Sequence, residues 1–168
     1  MSPSGHANIT PVRHASDLTD TIGLFYAYAA SLGLDLAFQG FDAEMAAMPG
    51  KYSPPAGELL LARNSAGTAV GCVGLRPLPS AGPGVCEMKR LYVAPEGRGS
   101  GVGKALASSA IDAAERCGYR EIRLDTLPSM VAALCMYRAF GFGDIEPYYD
   151  TPLEGTHFLS LKLPRQQG

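Results

Sequence analysis

Long apolar runs are missing from this chain. The longest, residues 59–62 and 69–75, are far too short to cross the hydrocarbon core of a bilayer. The first six residues hold no apolar stretch of the signal-peptide kind, so no secretory leader is expected. An excess of one charge is missing too. Fourteen Lys and Arg stand against 16 Asp and Glu, a net charge of −2, which gives no electrostatic footprint for nucleic acid. Cysteine is scarce: Cys72, Cys86, Cys117 and Cys135 include no Cys-x-x-Cys pair. Each sits among apolar neighbours, the usual context of a small buried hydrophobe. These absences lead to the expectation of a reduced, cytoplasmic protein with no membrane or nucleic-acid partner. What the chain does have is 46% hydrophobic residues in 168, enough for a real core in one domain, residues 1–168.

Periodicity and punctuation divide that domain. Residues 9–12 read as a strand, and residues 17–32 as a helix with Ser16 at its N-cap position. Leu18, Ile22, Phe25, Ala29 and Leu32 recur there at helical spacing. A shorter helix over 41–48 ends at Pro49-Gly50. Strands are expected at 58–63, 68–76 and 85–93, the second so uniformly apolar that both its faces should be covered. A helix over 101–117 follows, with a stripe of Val102, Ala105, Leu106, Ser109, Ala110, Ala113, Ala114 and Cys117, closed by Gly118. A strand over 121–126, a helix over 130–140 capped by Ser129, and strands over 142–145 and 157–163 complete the chain. The order β α α β β β α β α β β predicts an α/β (α+β) domain with one mixed sheet and helices on both faces.

One segment carries chemistry: Leu91-Tyr92-Val93-Ala94-Pro95-Glu96-Gly97-Arg98-Gly99-Ser100-Gly101-Val102-Gly103-Lys104. A strand ends, a glycine-rich turn follows, and an amphipathic helix begins at once. The first N–H groups of that helix lack intrahelical partners, and glycines let them converge without side chains in the way. The helix dipole adds roughly 0.3–1 kcal/mol per interacting anion. The product is a cradle for a pyrophosphate, flanked by Arg98 and Lys104. A dinucleotide fingerprint is the competing use, and Asp125 does end the next strand. Against it, the spacing of Gly99, Gly101 and Gly103 is wrong, and Lys104 stands where the last glycine belongs.

The run Leu91-x-Val93-x-Pro95-x-x-Arg98-Gly99-x-Gly101-x-Gly103 resembles motif A of the GCN5-related N-acetyltransferases, whose core is (Arg/Gln)-x-x-Gly-x-(Gly/Ala). Met136-Tyr137-Arg138-Ala139-Phe140-Gly141-Phe142 is similar to the end of that family's motif B, Leu-Tyr-x-x-x-Gly-Phe. The likeness runs from residue 58 to 163. It implies a mixed, mostly antiparallel sheet whose two central strands splay apart, with acetyl-coenzyme A in the gap. The pantetheine arm would bond to the backbone of Leu91, Tyr92 and Val93. The pyrophosphate would rest on Arg98, Gly99, Ser100, Gly101, Val102, Gly103 and Lys104. Many members place Asn seven residues before the motif B Tyr; this chain has Met130 there. Homodimers are common in the family.

Moving an acetyl group from a thioester to an amine needs three services. The ammonium must lose a proton, the developing oxyanion needs a donor, and the departing thiolate needs a proton. A tyrosine, with pKa about 10 against about 8.5 for a thiol, can supply the last. The resemblance gives that role to Tyr137, which also lies on its helix's packing stripe. Relatives place a general-base Glu near Glu87, although others use a water chain, and Glu87 could equally pair with Lys89 or Arg90. A backbone N–H within 91–93 would be the oxyanion donor. Tyr148, Tyr149 and Phe158 fall where the family's acceptor pocket forms. His14 and His157 have no partner at ligand spacing, so no metal site is expected. The reading is an N-acetyltransferase for a small-molecule amine; the alternative is a non-catalytic acyl-CoA-binding domain of the same fold.

Overall fold

Alternation along the strands creates a core on each side of the sheet. In β2 (Glu58–Arg63), Leu59 and Leu61 join one buried cluster while Leu60 and Ala62 join another. The computed structural model describes residues 7–33, 35–37 and 40–165. The remaining strands are β1 (Asn8–Pro11), β3 (Ala69–Pro77), β4 (Val85–Val93), β5 (Glu121–Thr126), β6 (Gly143–Asp144) and β7 (His157–Lys162). They lie in one sheet in the order β1-β2-β3-β4-β5-β7-β6. Every neighbouring pair is antiparallel except β4 and β5.

Helices α1 (Ala15–Leu32) and α2 (Phe41–Ala46) cover one face, where Phe25, Phe41 and Met45 pack with Leu59, Leu61 and Cys72. Helices α3 (Val102–Arg116) and α4 (Val131–Phe140) cover the other. There Leu106, Ala110, Ile111 and Tyr137 pack with Val73, Met88 and Leu124. None of the described helices is long and apolar enough to cross a membrane.

Several local expectations change. α1 starts at Ala15, with His14 at its N-cap and no side-chain cap bond, so Ser16 lies inside the first turn. α4 starts at Val131, and its N-cap is Met130 rather than Ser129, again without a side-chain bond. The α3 stripe rotates: Ala107 and Ile111 are buried, Ala105 and Cys117 are exposed, and Ser109 is half-buried. The sheet is wide enough to take residues on both flanks of the read stripe. Cys72 and Cys86 are buried as expected, whereas Cys117, at the C-cap of α3, and Cys135, in the middle of α4, sit at the surface. Gly118 does terminate α3, with φ +83° and Tyr119 N–H donating to Ala114 O at 3.1 Å.

Candidate active site

The two parallel strands at the centre soon part. β4 and β5 pair only at Val85↔Glu121, Cys86↔Ile122 and Glu87↔Arg123. β4 then bulges: Tyr92 faces Cys72 and Lys89 faces Gly74 across the β3 ladder, so Arg90 and Leu91 together oppose Val73. Arg90 has φ +60°, the one positive-φ residue other than glycine among those described. A left-handed backbone at so large a side chain is held only by its surroundings, and bulges of this sort gather next to reaction sites. Here Arg90 is 5% exposed, Glu44 of α2 accepts from it at 3.2 Å, and the Phe41 ring lies 5.2 Å away. Past Glu87 the two strands form a cleft. Its walls include Met88, Lys89, Arg90 and Leu91 from β4, Leu124 and Asp125 from β5, Tyr28 from α1 and Tyr137 from α4.

At the end of β4 the chain turns through Gly99 (φ +87°) and Gly101 (φ +79°), the latter the N-cap of α3. A Cβ at either glycine would meet no atom within 4 Å, so open space lies in front of the helix N-terminus. The first intrahelical bond is Ala105 N–H to Gly101 O, which leaves the amides of Val102, Gly103 and Lys104 pointing out of the helix end. Arg98 donates from Nε to Val93 O at 3.0 Å, tying the turn to the strand. Val102 is buried and anchors the helix, while Arg98, Ser100 and Lys104 are exposed. Leu91, Tyr92 and Val93 are half-buried, with Tyr92 meeting the Tyr28 ring edge-on at 6.1 Å.

Tyr137 lies two turns into α4 and is 6% exposed, its ring against the edge of Phe142 at 5.7 Å. Its hydroxyl has no hydrogen-bond partner among the described residues, and the side chain forms part of the cleft wall. Burial pushes the phenol well above its ordinary value, with the Tyr28 phenol and the Asp125 carboxylate adding to the shift. The group therefore stays protonated at neutral and mildly alkaline pH, as a proton donor must.

Glu87 is 2% exposed and lies inside a polar network. Arg76 Nε donates to its Oε1 at 3.0 Å and the Tyr148 hydroxyl donates to its Oε2 at 2.6 Å. Arg76 continues to Glu44 at 3.3 Å, and so to Arg90. Alongside, the Tyr149 hydroxyl donates to Asp125 at 2.6 Å, and Lys89 reaches the same carboxylate at 3.5 Å. Tyr148, Tyr149 and Phe158 stack edge to face at 5.2–5.6 Å. Burial raises the phenols of Tyr148 and Tyr149, with Glu87 the main charged cause for the first and Asp125 for the second.

The structure thus brings Tyr137 and Leu91 together in the cleft, with Tyr92 and Val93 continuing towards the glycine turn at its mouth. Glu87 opens instead onto a neighbouring depression walled by Arg76, Lys89, Tyr148 and Tyr149. Lys89 lines both. Sequence reasoning gave no site role to Lys89, Arg90, Glu44, Arg76 or Tyr28. Their charge and spacing carry no local motif; they meet only when α1, α2 and β3 pack beside the bulged β4.

A sheet that splays after a parallel central pair, a bulged fourth strand and a glycine turn opening α3 define the acetyltransferase fold. The model of the acetyltransferase (GNAT) family matches residues 26–142. An uncharacterized N-acetyltransferase of Schizosaccharomyces pombe is 42% identical, the alignment covering 98% of this chain and 99% of that protein. Another from Dictyostelium discoideum is 29% identical over 83% of this chain and 92% of its own length. Among solved structures, a GNAT-family acetyltransferase of Staphylococcus aureus superposes with a TM-score of 0.75 at 21% identity, covering 94% of this chain and 99% of its own. A phosphinothricin acetyltransferase of Sinorhizobium meliloti, solved in complex with acetyl-CoA, gives 0.63 at 17% identity, covering 93% and 88%. The chain belongs to the GNAT family of acetyltransferases.

Proposed function

We propose that this chain moves the acetyl group of acetyl-CoA to the amine of a small acceptor. The observation that carries the reading is the Tyr137 hydroxyl in the wall of the cleft between β4 and β5, without a hydrogen-bond partner among the described residues, with the glycine cradle following the end of β4. The residues present suit the co-substrate. The outward amides of Val102, Gly103 and Lys104 at the open N-terminus of α3 fit a pyrophosphate, and Gly99 and Gly101, on either side of Ser100, leave it room. Lys104 adds charge, and Arg98 holds the turn in place. Beyond Glu87, β4 has no ladder partner on its β5 side among the described residues, which leaves Leu91, Tyr92 and Val93 to pair with a pantetheine amide. When bound, acetyl-CoA supplies the activated acyl carbon.

In the transfer, the amine nitrogen attacks the acyl carbon, a C–N bond forms, the C–S bond breaks, and Tyr137 gives its proton to the departing sulfur. An amide N–H within 91–93 stabilises the oxyanion. Glu87 takes the ammonium proton by relay: the acceptor passes it to the Tyr148 oxygen as Tyr148 passes its own to Oε2 at 2.6 Å. The relay suits the burial of Glu87, whose Oε2 already accepts from the Tyr148 hydroxyl. Action within a cytoplasm and assembly as a homodimer belong to the same proposal.

Two measurements test it. Acetyl-CoA should raise the melting temperature as a ligand of the native state does, and thiol should be released in the presence of some member of an amine panel. A rise with NAD or NADP and none with acetyl-CoA overturns the reading. Thermal stabilisation by acetyl-CoA without thiol release from any amine leaves a binding domain.

A further inference from the structure

Lys89 is a buried cation with few partners among the described residues. Its side chain is 6% exposed, and its ammonium makes one hydrogen bond among the described residues, a long one of 3.5 Å to Asp125 Oδ1. Asp125 is better served by Tyr149 at 2.6 Å. An ammonium carries three donors, and a buried one with two of them idle is costly unless another acceptor arrives. Lys89 sits in the wall shared by the β4–β5 cleft and the depression beside Glu87. Running down β4 from the cradle end, Val93 is followed by Leu91, Arg90 and Lys89, and these last three line the cleft. On the depression side, two cations, Arg76 and Lys89, face the single carboxylate of Glu87, among the hydroxyls of Tyr148 and Tyr149. Arg76 is already bonded to Glu87 and Glu44, which leaves Lys89 as the available cation.

We infer that Lys89 binds a carboxylate of the acceptor, so that the acetylated amine belongs to an amino-acid-like molecule. This rests on the acetyl-transfer reading above. Lys89 is held by Asp125 through one long contact only, so its remaining donors can take a single carboxylate, while the nearby Asp125 and Glu87 carboxylates oppose a phosphate dianion. The same zwitterion would set its ammonium against Tyr148, at the head of the relay to Glu87.

The test compares wild type with Lys89→Met, which keeps the stem, and Lys89→Arg, which keeps the charge. Thiol release is measured with common L-amino acids and with their decarboxylated amines, so that each pair differs only in the carboxylate. Wild type should favour the acid over its amine in kcat/KM by about 10- to 100-fold, the span of one charge-assisted bond. Lys89→Met should bring that ratio close to one, and Lys89→Arg should restore much of it. A second arm is independent of turnover: with CoA present, N-acetyl-amino acids at millimolar concentration should raise the melting temperature of wild type and not of Lys89→Met. An acid-to-amine ratio near one in wild type, a ratio unchanged in Lys89→Met, or no stabilisation by any N-acetyl-amino acid overturns the assignment. If no amine releases thiol while the N-acetyl-amino acids still bind through Lys89, the carboxylate site stands and the transfer reading falls. A Lys89→Met that still gains stability with acetyl-CoA is folded, and its ratio counts.

Discussion

Replacing Tyr137 with Phe removes one oxygen and little else. The ring stays where it packs, edge-on to Phe142 at 5.7 Å. Because the hydroxyl has no partner among the described residues, its loss orphans no donor or acceptor, and stability should change by less than about 1 kcal/mol. The rate should respond far more. General acid catalysis is worth about 10²- to 10⁴-fold. The leaving thiol, with pKa about 8.5, departs tolerably as the anion. The loss therefore falls at the low end, about 10- to 10³-fold in kcat, or roughly 1.4–4 kcal/mol of barrier. Burial raises the Tyr137 phenol above its ordinary value of 10.0, so the donor stays protonated between pH 6 and 9 and the defect should be constant across that span. Stopped assays of thiol release give the rate, and melting curves with and without acetyl-CoA show that fold and binding persist. A variant with full kcat would return Tyr137 to a packing role. A variant that loses several kcal/mol would show the hydroxyl serving a buried hydrogen bond instead.

Three further outcomes can be checked. Gly101→Leu puts a side chain at φ +79° in otherwise open space; the chain should fold with a cost of about 1 kcal/mol, yet acetyl-CoA should no longer raise its melting temperature, and an undiminished rise refutes the cradle. Glu87→Gln should lower kcat/KM by about 10²-fold or more while the response to acetyl-CoA persists; an unchanged acidic limb in the pH–rate profile points to a water route. At Glu121, burial alone favours the neutral acid, but bonds from Arg123 (2.6 Å), Lys162 (3.0 Å) and Ser160 (2.9 Å) outweigh it and hold the carboxyl at about 2 against 4.5. Its stabilisation, about 1–3 kcal/mol, is then present above pH 4.5 and lost as pH falls towards 2. Urea midpoints of Glu121→Gln should be low at pH 7 and converge on wild type in acid, and parallel curves would refute the linkage.

Strand bounds were the most legible part of the chain. β2, β4 and β5 run over the residues that their alternation and flanking turns mark out, because a strand's limits are set by local apolar spacing. Helix caps were less so: His14 and Met130 took the positions assigned to Ser16 and Ser129, since how the chain enters from the preceding turn decides where a helix begins. The cradle was readable because its parts are contiguous. The network around Glu87 was not, as Glu44, Arg76 and Glu87 come from α2, β3 and β4 and meet only after the sheet has formed. Nor does any local signal reveal that Arg90 adopts a left-handed backbone; nothing in its neighbours' composition distinguishes it from an ordinary strand residue.

That one residue acts as a phase shift. Before it, Cys86 and Met88 point to the core under α3 and α4, and the odd-numbered Glu87 and Lys89 point away from it. After it, the parity is reversed: Leu91 and Val93 pack towards that same core, and Tyr92 joins the cluster under α1 and α2. Without the extra residue, Leu91 and Val93 would share a face with Glu87 and Lys89, and the apolar and charged positions of the strand would form one continuous row. With it, a single strand turns Glu87 and Lys89 away from the core under α3 and α4 at one end, and Leu91 and Val93 towards that core at the other. Deleting or inserting one residue anywhere between Lys89 and Leu91 should therefore exchange the two faces at a stroke, even with every side chain retained.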